Sequence, residues 1–239
     1  MANEGSEKTR AQGPPGDSAI ARVVNDPVSR RKFMTLTGGS AALGAFLVAC
    51  GDDDDSTTTT ASDGGSGGGA STGERPPADT FGTGDLGILN YALTLEYLET
   101  AFYQDVVKSG LFSGSDQATI QKFGAQEAEH VAALTAAIKG AGGKPAAKPK
   151  TKFPLNNAKS VLDLAATVEN LGAAAYLGQA GNIKSPDVLA SALAIHSVEA
   201  RHAAALNTLL GESIVPDGAF AKPAGPTEVL DSVQPFIVS

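Results

Sequence analysis

Between residues 85 and 211 the chain offers four Ala- and Leu-rich stretches of helical length, separated by a short, then a long, then a short break. That spacing constrains the fold more than any single motif does. The first stretch runs from about residue 85 to 109 and stops at Gly110; the second has Ser115 as its expected N-cap and ends at Gly140, Gly142 and Gly143. Ser160 is the expected cap of the third, which closes at Gly181. Ser185-Pro186 places a cap residue before a proline at the first helical position, and Gly211 ends the fourth. The breaks at 110–114 and 182–184 allow only antiparallel hairpins. The linker at 140–158 is different, because a helix of about 25 residues is roughly 37 Å long, and nearly twenty extended residues cover that distance. The second and third helices therefore run parallel. Aromatics make up 5% of the chain and Trp is absent, so Ala and Leu must fill the core, which favours close-packed helices over sheets. The expected fold class is all-α, a four-helix bundle of two antiparallel hairpins joined by one long crossover.

The first eighty residues have another character. Arg30-Arg31 precedes a moderately apolar run from Met34 to Ala49, and the order resembles a twin-arginine signal peptide. At about sixteen residues the run falls short of the roughly twenty that a permanent spanning helix needs. It ends in Leu47-Val48-Ala49-Cys50, which resembles a bacterial lipobox, where cysteine becomes the lipidated N-terminus. Cys50 is the only cysteine, so no intramolecular disulfide forms, and the acidic run Asp52 to Asp55 disfavours a reactive thiolate. From Gly51 to about Asp79 the Gly, Ser, Thr and Asp composition cannot offset its ordering entropy by burial, so a flexible tether is expected. The expected domains are a signal peptide at 1–49, a lipidated cysteine and linker at 50–82, the bundle at 83–211, and a C-terminal strap at 212–239. Four prolines in the strap rule out a long helix there. Its apolar residues Phe220, Val229, Leu230, Val233 and Phe236 are expected to pack on the bundle.

A net charge of −8 argues against nucleic acid as a partner. The one basic run, Lys144 to Lys152, is rich in Pro and Ala and offers no aromatic platform for bases; it is read as a solvated connection.

Chemistry concentrates on the three histidines, His130, His196 and His202. Two share a local pattern, Glu127-Ala-Glu-His130 and Glu199-Ala-Arg-His202. Three residues along a helix turn it by about 300° and advance about 4.5 Å, so Glu and His project from one face toward one metal or two adjacent ones. The other two helices each place a glutamate in an apolar stretch, Glu96 and Glu169, with a tyrosine seven residues later, Tyr103 and Tyr176. The spacing from Glu96 to Glu127 is 31 residues and that from Glu169 to Glu199 is 30. The chain thus reads as two related halves, each supplying Glu-x6-Tyr and then Glu-x-x-His. Glu99, three residues after Glu96, is an alternative to it. Glu129 points some 100° away from His130 and reads as solvated. His196 is either a partner to the Glu199 group or an ordinary helical histidine. Tyr103 and Tyr176 either hydrogen-bond to residues of neighbouring helices or simply pack.

On these residues the segment from about Thr83 to Gly211 resembles the ferritin-like superfamily, in particular exported bacterial proteins related to plant desiccation-related proteins. The resemblance implies a dinuclear iron or manganese centre held by Glu96, Glu127, His130, Glu169, Glu199 and His202. Glu127 and Glu199 would bridge, and Glu96 and Glu169 would be terminal. Four carboxylates balance two divalent cations, whereas without metal they would repel one another and take up protons.

Two functions follow as expectations. One is an exported di-metal protein, held by Cys50 to the outer face of a bacterial membrane, that reacts with dioxygen or peroxide in a ferroxidase- or catalase-like way. The other is a non-catalytic envelope protein of water stress that binds metal or contributes a stable bundle. The expected partners are the membrane, the twin-arginine export machinery and no nucleic acid. Homo-oligomerisation stays open, but a closed iron-storage cage fits a tethered subunit poorly.

Overall fold

The computed structural model describes residues 72–238. Arg30, Arg31, Cys50 and the tether up to residue 71 lie outside the described residues. The elements are α1 (Ala78–Phe81), α2 (Gly84–Ser109), α3 (Gly114–Gly140), β1 (Lys150–Thr151), α4 (Ala158–Ala180), α5 (Pro186–Leu210), α6 (Pro226–Val233), a 3-10 turn (Gln234–Phe236) and β2 (Ile237–Val238).

The four long helices coincide with the four sequence stretches, and their ends show why. Gly110 and Gly211 take the left-handed conformation (φ 69° and 76°) that lets the chain leave α2 and α5 without a Cβ penalty. Ser185 caps α5 through a bond from the Val188 amide, with Pro186 behind it. Two caps differ from expectation. Ser113, not Ser115, holds the N-cap position of α3, because Gly114 (φ 58°) already turns the chain into the helix. Asn157, not Ser160, caps α4. Its side chain accepts from the Ser160 amide while Ser160 Oγ accepts from the Asn157 amide, a reciprocal box that uses both residues.

Helix α2 packs along α3, and α4 along α5. Two apolar layers fill the bundle. One contains Leu89 and Leu93 from α2, Leu134 and Ile138 from α3, Tyr176 from α4 and Ile195 from α5. The other contains Phe102 and Val106 from α2, Ile120 and Phe123 from α3, Val161 and Ala165 from α4 and Leu206 from α5. The N-terminal halves of α3 and α4 share the second layer, so those two helices run parallel and the linker must travel the length of the bundle. Along it, the Asn90 side chain holds the Lys144 carbonyl and the Ala146 amide (3.3 and 2.8 Å). Farther on, Lys150 and Thr151 pair antiparallel with Val238 and Ile237.

The strap forms one short helix, α6, begun by Pro226. Val229 and Val233 are buried there against Tyr91, Leu95 and Leu98 of α2 and Ala175 of α4, with Leu230 and Phe236 at the margin. Phe220 departs from expectation: it is 87% exposed. It sits in a turn-rich segment that precedes the proline-started helix and is itself exposed from Gly211 to Lys222.

Candidate metal centre

Between the two apolar layers lies a polar one. It holds Glu96 and Glu99 from α2, Glu127 and His130 from α3, Glu169 from α4, and Glu199 and His202 from α5. All are buried, and Glu96, Glu127, Glu169 and Glu199 are 0% exposed. Each helix delivers its polar residues where its apolar stripe crosses the middle of the bundle, so the same periodicity that builds the core aims the carboxylates inward.

The side chains form two overlapping quartets. Glu96, Glu127, Glu199 and His130 bring one potential ligand atom each within 4.8 Å of one another, and so do Glu127, Glu169, Glu199 and His202. Only Glu127 and Glu199 belong to both. His130 Nδ1 lies 2.9 Å from Glu127 Oε2, 3.1 Å from Glu199 Oε1 and 3.2 Å from Glu96 Oε2. His202 Nδ1 lies 2.9 Å from Glu127 Oε1 and 3.2 Å from Glu169 Oε2. One N–H cannot donate to three carboxylates at once, and the geometry shows the shortfall. Glu127 Oε1 and both oxygens of Glu199 are buried without a hydrogen bond, although they lie within ion-pair range of an imidazole or beside one. Acceptor oxygens packed around an imidazole nitrogen, with too few protons to satisfy them, are a donor set suited to cations.

The electrostatics agree. Burial pushes Glu96 up to about 7 against the pull of His130. Burial also raises Glu199, helped by Glu127 and Glu96, and raises Glu99, helped by Glu199 and Glu96. Glu127 is the exception: burial would raise it, but the two imidazoles, with His130 Nδ1 and His202 Nδ1 each 2.9 Å from one of its oxygens, hold it well below the usual carboxylate range. Burial works to lower both histidines, yet the surrounding carboxylates, Glu96 for His130 and Glu169 for His202, raise them. Without metal, protons balance this interior at the places cations would take.

The two tyrosines bond across the bundle. Tyr103 on α2 donates to Glu169 Oε1 on α4, and Tyr176 on α4 donates to Glu96 Oε1 on α2 at 2.5 Å. Each thus fixes the carboxylate supplied by the other half. Gly124 makes room for this, since a Cβ there would lie 2.8 Å from Tyr103 Cβ. Tyr103→Phe and Tyr176→Phe are each expected to destabilise the metal-free protein by about 1–3 kcal/mol, the scale for leaving a buried acceptor without its donor, as read by urea unfolding.

A family comparison matches residues 84–212 to the ferritin-like domain. The chain belongs to the ferritin-like family. A comparison with curated proteins gave no match. The family match covers α2 to α5, the helices that supply all six side chains named from sequence.

The structure brings those six together and adds partners that the motifs did not reveal. His202 Nε2 lies 2.8 Å from Gln126 Oε1, and its ring stacks on Phe123 with centroids 4.1 Å apart. The amide oxygen can only accept, so Nε2 carries the proton and Nδ1 faces the carboxylates. Gln126 immediately precedes Glu127, and that adjacency was the one available signal. Glu96 and Glu99 are both buried in the polar layer, but Glu96 belongs to one quartet and Glu99 to neither. Glu129 is exposed as expected. His196 joins neither quartet; its Nδ1 lies 2.9 Å from the Ala173 carbonyl, the arrangement of an ordinary interhelical histidine.

Proposed function

We propose that this chain is an exported, lipid-anchored ferritin-like protein whose bundle holds two iron or manganese ions and reacts with dioxygen or peroxide. The observation that carries the reading is the pair of overlapping quartets sharing Glu127 and Glu199. The donors fit the ions: four carboxylates balance two divalent charges, and oxygen and imidazole ligands suit iron and manganese. Bound there, the metals would supply one-electron redox steps at two adjacent centres, the number needed to reduce a peroxide bond. Glu96, Glu127 and His130 would hold one ion and Glu169, Glu199 and His202 the other, with Glu127 and Glu199 reaching both. Tyr103 and Tyr176 would orient the terminal carboxylates, and Gln126 would orient His202. The apolar layers on either side would exclude bulk water.

The test is a pair of assays on metal-loaded protein, Fe(II) oxidation followed by absorbance and oxygen release from hydrogen peroxide. Turnover in either, lost in Glu127→Ala, is the expected result. Metal-replete protein inert in both would favour the second reading, a non-catalytic envelope protein in which the ions brace the bundle. The complete burial of the four carboxylates is the observation in favour of that reading.

The membrane attachment rests on the sequence before residue 72. Among the described residues no helix is long and apolar enough to cross a membrane. Replacing Cys50 with Ser is expected to release the protein from the membrane fraction, and changing Arg30 and Arg31 to Lys to leave precursor in the cytoplasm. Cell fractionation and immunoblotting read both, and unchanged distribution of either variant would remove that part of the proposal.

A further inference from the structure

The three most exposed large apolar side chains among the described residues all lie in the loop between α5 and α6: Ile214 (60%), Val215 (58%) and Phe220 (87%). Apolar side chains gathered on a surface mark a contact. The backbone that displays them is tied down. Asn207 of α5 donates to the Ser213 carbonyl (3.1 Å), and Ser213 Oγ accepts from the Val215 amide (3.2 Å). Val215-Pro216-Asp217-Gly218 forms a turn closed by the Gly218 amide donating to the Val215 carbonyl at 3.0 Å, with proline and glycine at the positions such a turn favours. Asp217 Oδ2 accepts from the Lys222 amide (3.1 Å), and Oδ1 lies 3.6 Å from the Lys222 ammonium. The loop thus satisfies polar groups of its own backbone and turns its apolar side chains outward. Those are the two conditions for entering an apolar medium, where an unpaired backbone group is costly.

The place where the loop returns to the bundle points to that medium. Just beyond Lys222, the Ala224 amide donates to the Ala174 carbonyl of α4 (3.0 Å), and a Cβ on Gly178 would lie 2.0 Å from the Ala224 oxygen, so the returning chain rests directly on α4. The first described residues arrive at the same spot. The Thr72 amide donates to the Gly178 carbonyl (3.4 Å), and the Glu74 carbonyl accepts from the Gln179 and Asn182 side-chain amides (2.8 Å each). The Glu74 carboxylate holds the Thr227 amide at the start of α6 (3.2 Å). The segment that leads back to Cys50 therefore leaves the bundle beside the root of the loop.

Resting on the reading that Cys50 is lipidated, we propose that this loop is a lipid-contacting finger, whose apolar side chains enter the membrane that holds the anchor and so set which side of the bundle faces it. The 21 residues 51–71 are rich in Gly, Ser, Thr and Asp, and a flexible chain of that length spans about 25 Å on average. An anchor that close keeps the loop at high local concentration against lipid, where even a weak contact is populated. The acyl chains hold the protein, and the finger orients it. Pairing of Asp217 with Lys222 brings no lone charge to the lipid from the loop's tip.

The experiment uses the mature, lipidated chain reconstituted in vesicles of phosphatidylethanolamine and phosphatidylglycerol, with or without bromine on the acyl chains. The protein has no Trp, so Phe220→Trp installs a single indole at the tip, and Gln121→Trp places one on the exposed face of α3 as a control. Trp at 220 is expected to emit to the blue and to be quenched by brominated lipid, and Trp at 121 to do neither. Adding Ile214→Asp and Val215→Asp to the Phe220→Trp chain should lower the ratio of inserted to free loop by about tenfold or more, the scale for withdrawing buried apolar side chains. Quenching at 220 no stronger than at 121 would overturn the inference and leave the anchor standing. A blue shift that grows with protein per vesicle and ignores bromine would seat the loop on a second copy, and would also overturn it. Mass spectrometry that finds no acyl groups on Cys50 would overturn the anchor reading and this inference with it.

Discussion

Replacing Glu127 with Ala is expected to empty both metal positions at once, whereas replacing His130 or His202 with Ala should chiefly empty one. The difference follows from membership: Glu127 belongs to both quartets, while each histidine belongs to one. Even residues that only support a ligand are worth about 10–100-fold in metal affinity. Loss of a shared ligand should therefore cost on the order of 100-fold or more for each ion. Removing Glu127 also strips His130 and His202 of the carboxylate lying 2.9 Å from each Nδ1. Metal per chain after dialysis, measured by atomic emission, should fall from two in wild type toward zero in Glu127→Ala and toward one in His130→Ala. Two ions retained in Glu127→Ala would mean that the ions lie elsewhere.

Removal of metal is expected to lower the melting temperature by roughly 10 °C. At a free metal concentration about 1,000-fold above Kd, binding stabilises by about 4 kcal/mol, and a domain of this size shifts by about 2–4 °C per kcal/mol. The effect has a definite pH dependence. Glu96, Glu99 and Glu199 are all raised in the metal-free fold, Glu96 to about 7, whereas a carboxyl of an unfolded chain titrates near about 4.3. For Glu96, folding therefore takes up a proton between those values, and its contribution, complete below about 4.3, is lost as pH rises through about 7, with Glu99 and Glu199 acting in the same direction. His130 and His202 are also raised, so their contribution is likewise complete below about 6.5 and declines above it. Glu127 is depressed, and its contribution is lost only in stronger acid. Metal displaces the same protons, so it binds more tightly as pH rises. Melting curves of stripped and loaded protein should diverge between about pH 5.5 and 8, the stripped protein falling while the gap widens. A stripped protein that becomes more stable over that range would contradict the assigned directions.

Much of this was legible in the sequence, for identifiable reasons. Helix ends are marked by residues whose backbone needs are local, so Gly110, Ser185-Pro186 and Gly211 fell where expected. The crossover direction followed from length alone. Glu-x-x-His, repeated in two helices, fixed which faces turn inward. Errors arose where two residues compete for one local task, as Ser113 does with Ser115 and Asn157 with Ser160, because a cap depends on the dihedral at which the helix begins. Phe220 shows the limit of hydrophobicity as a guide, since an apolar residue in a turn-rich segment buries only if a surface comes to meet it. Gln126 acts across helices, on His202, and contact between helices is invisible to periodicity. Glu96 and Glu99 are one turn apart and share a face, so periodicity does not separate them; only contacts across the bundle place Glu96, and not Glu99, in a quartet.

The central claim is that six buried side chains hold two metal ions between Glu127 and Glu199. The most direct test is anomalous diffraction from crystals of protein produced with iron and manganese supplied, recorded at the absorption edge of each metal. Two peaks about 3.5–4 Å apart, both within bonding distance of Glu127 and Glu199, are predicted, with one near His130 and the other near His202. No anomalous peak in that layer, or peaks at other side chains only, would contradict it.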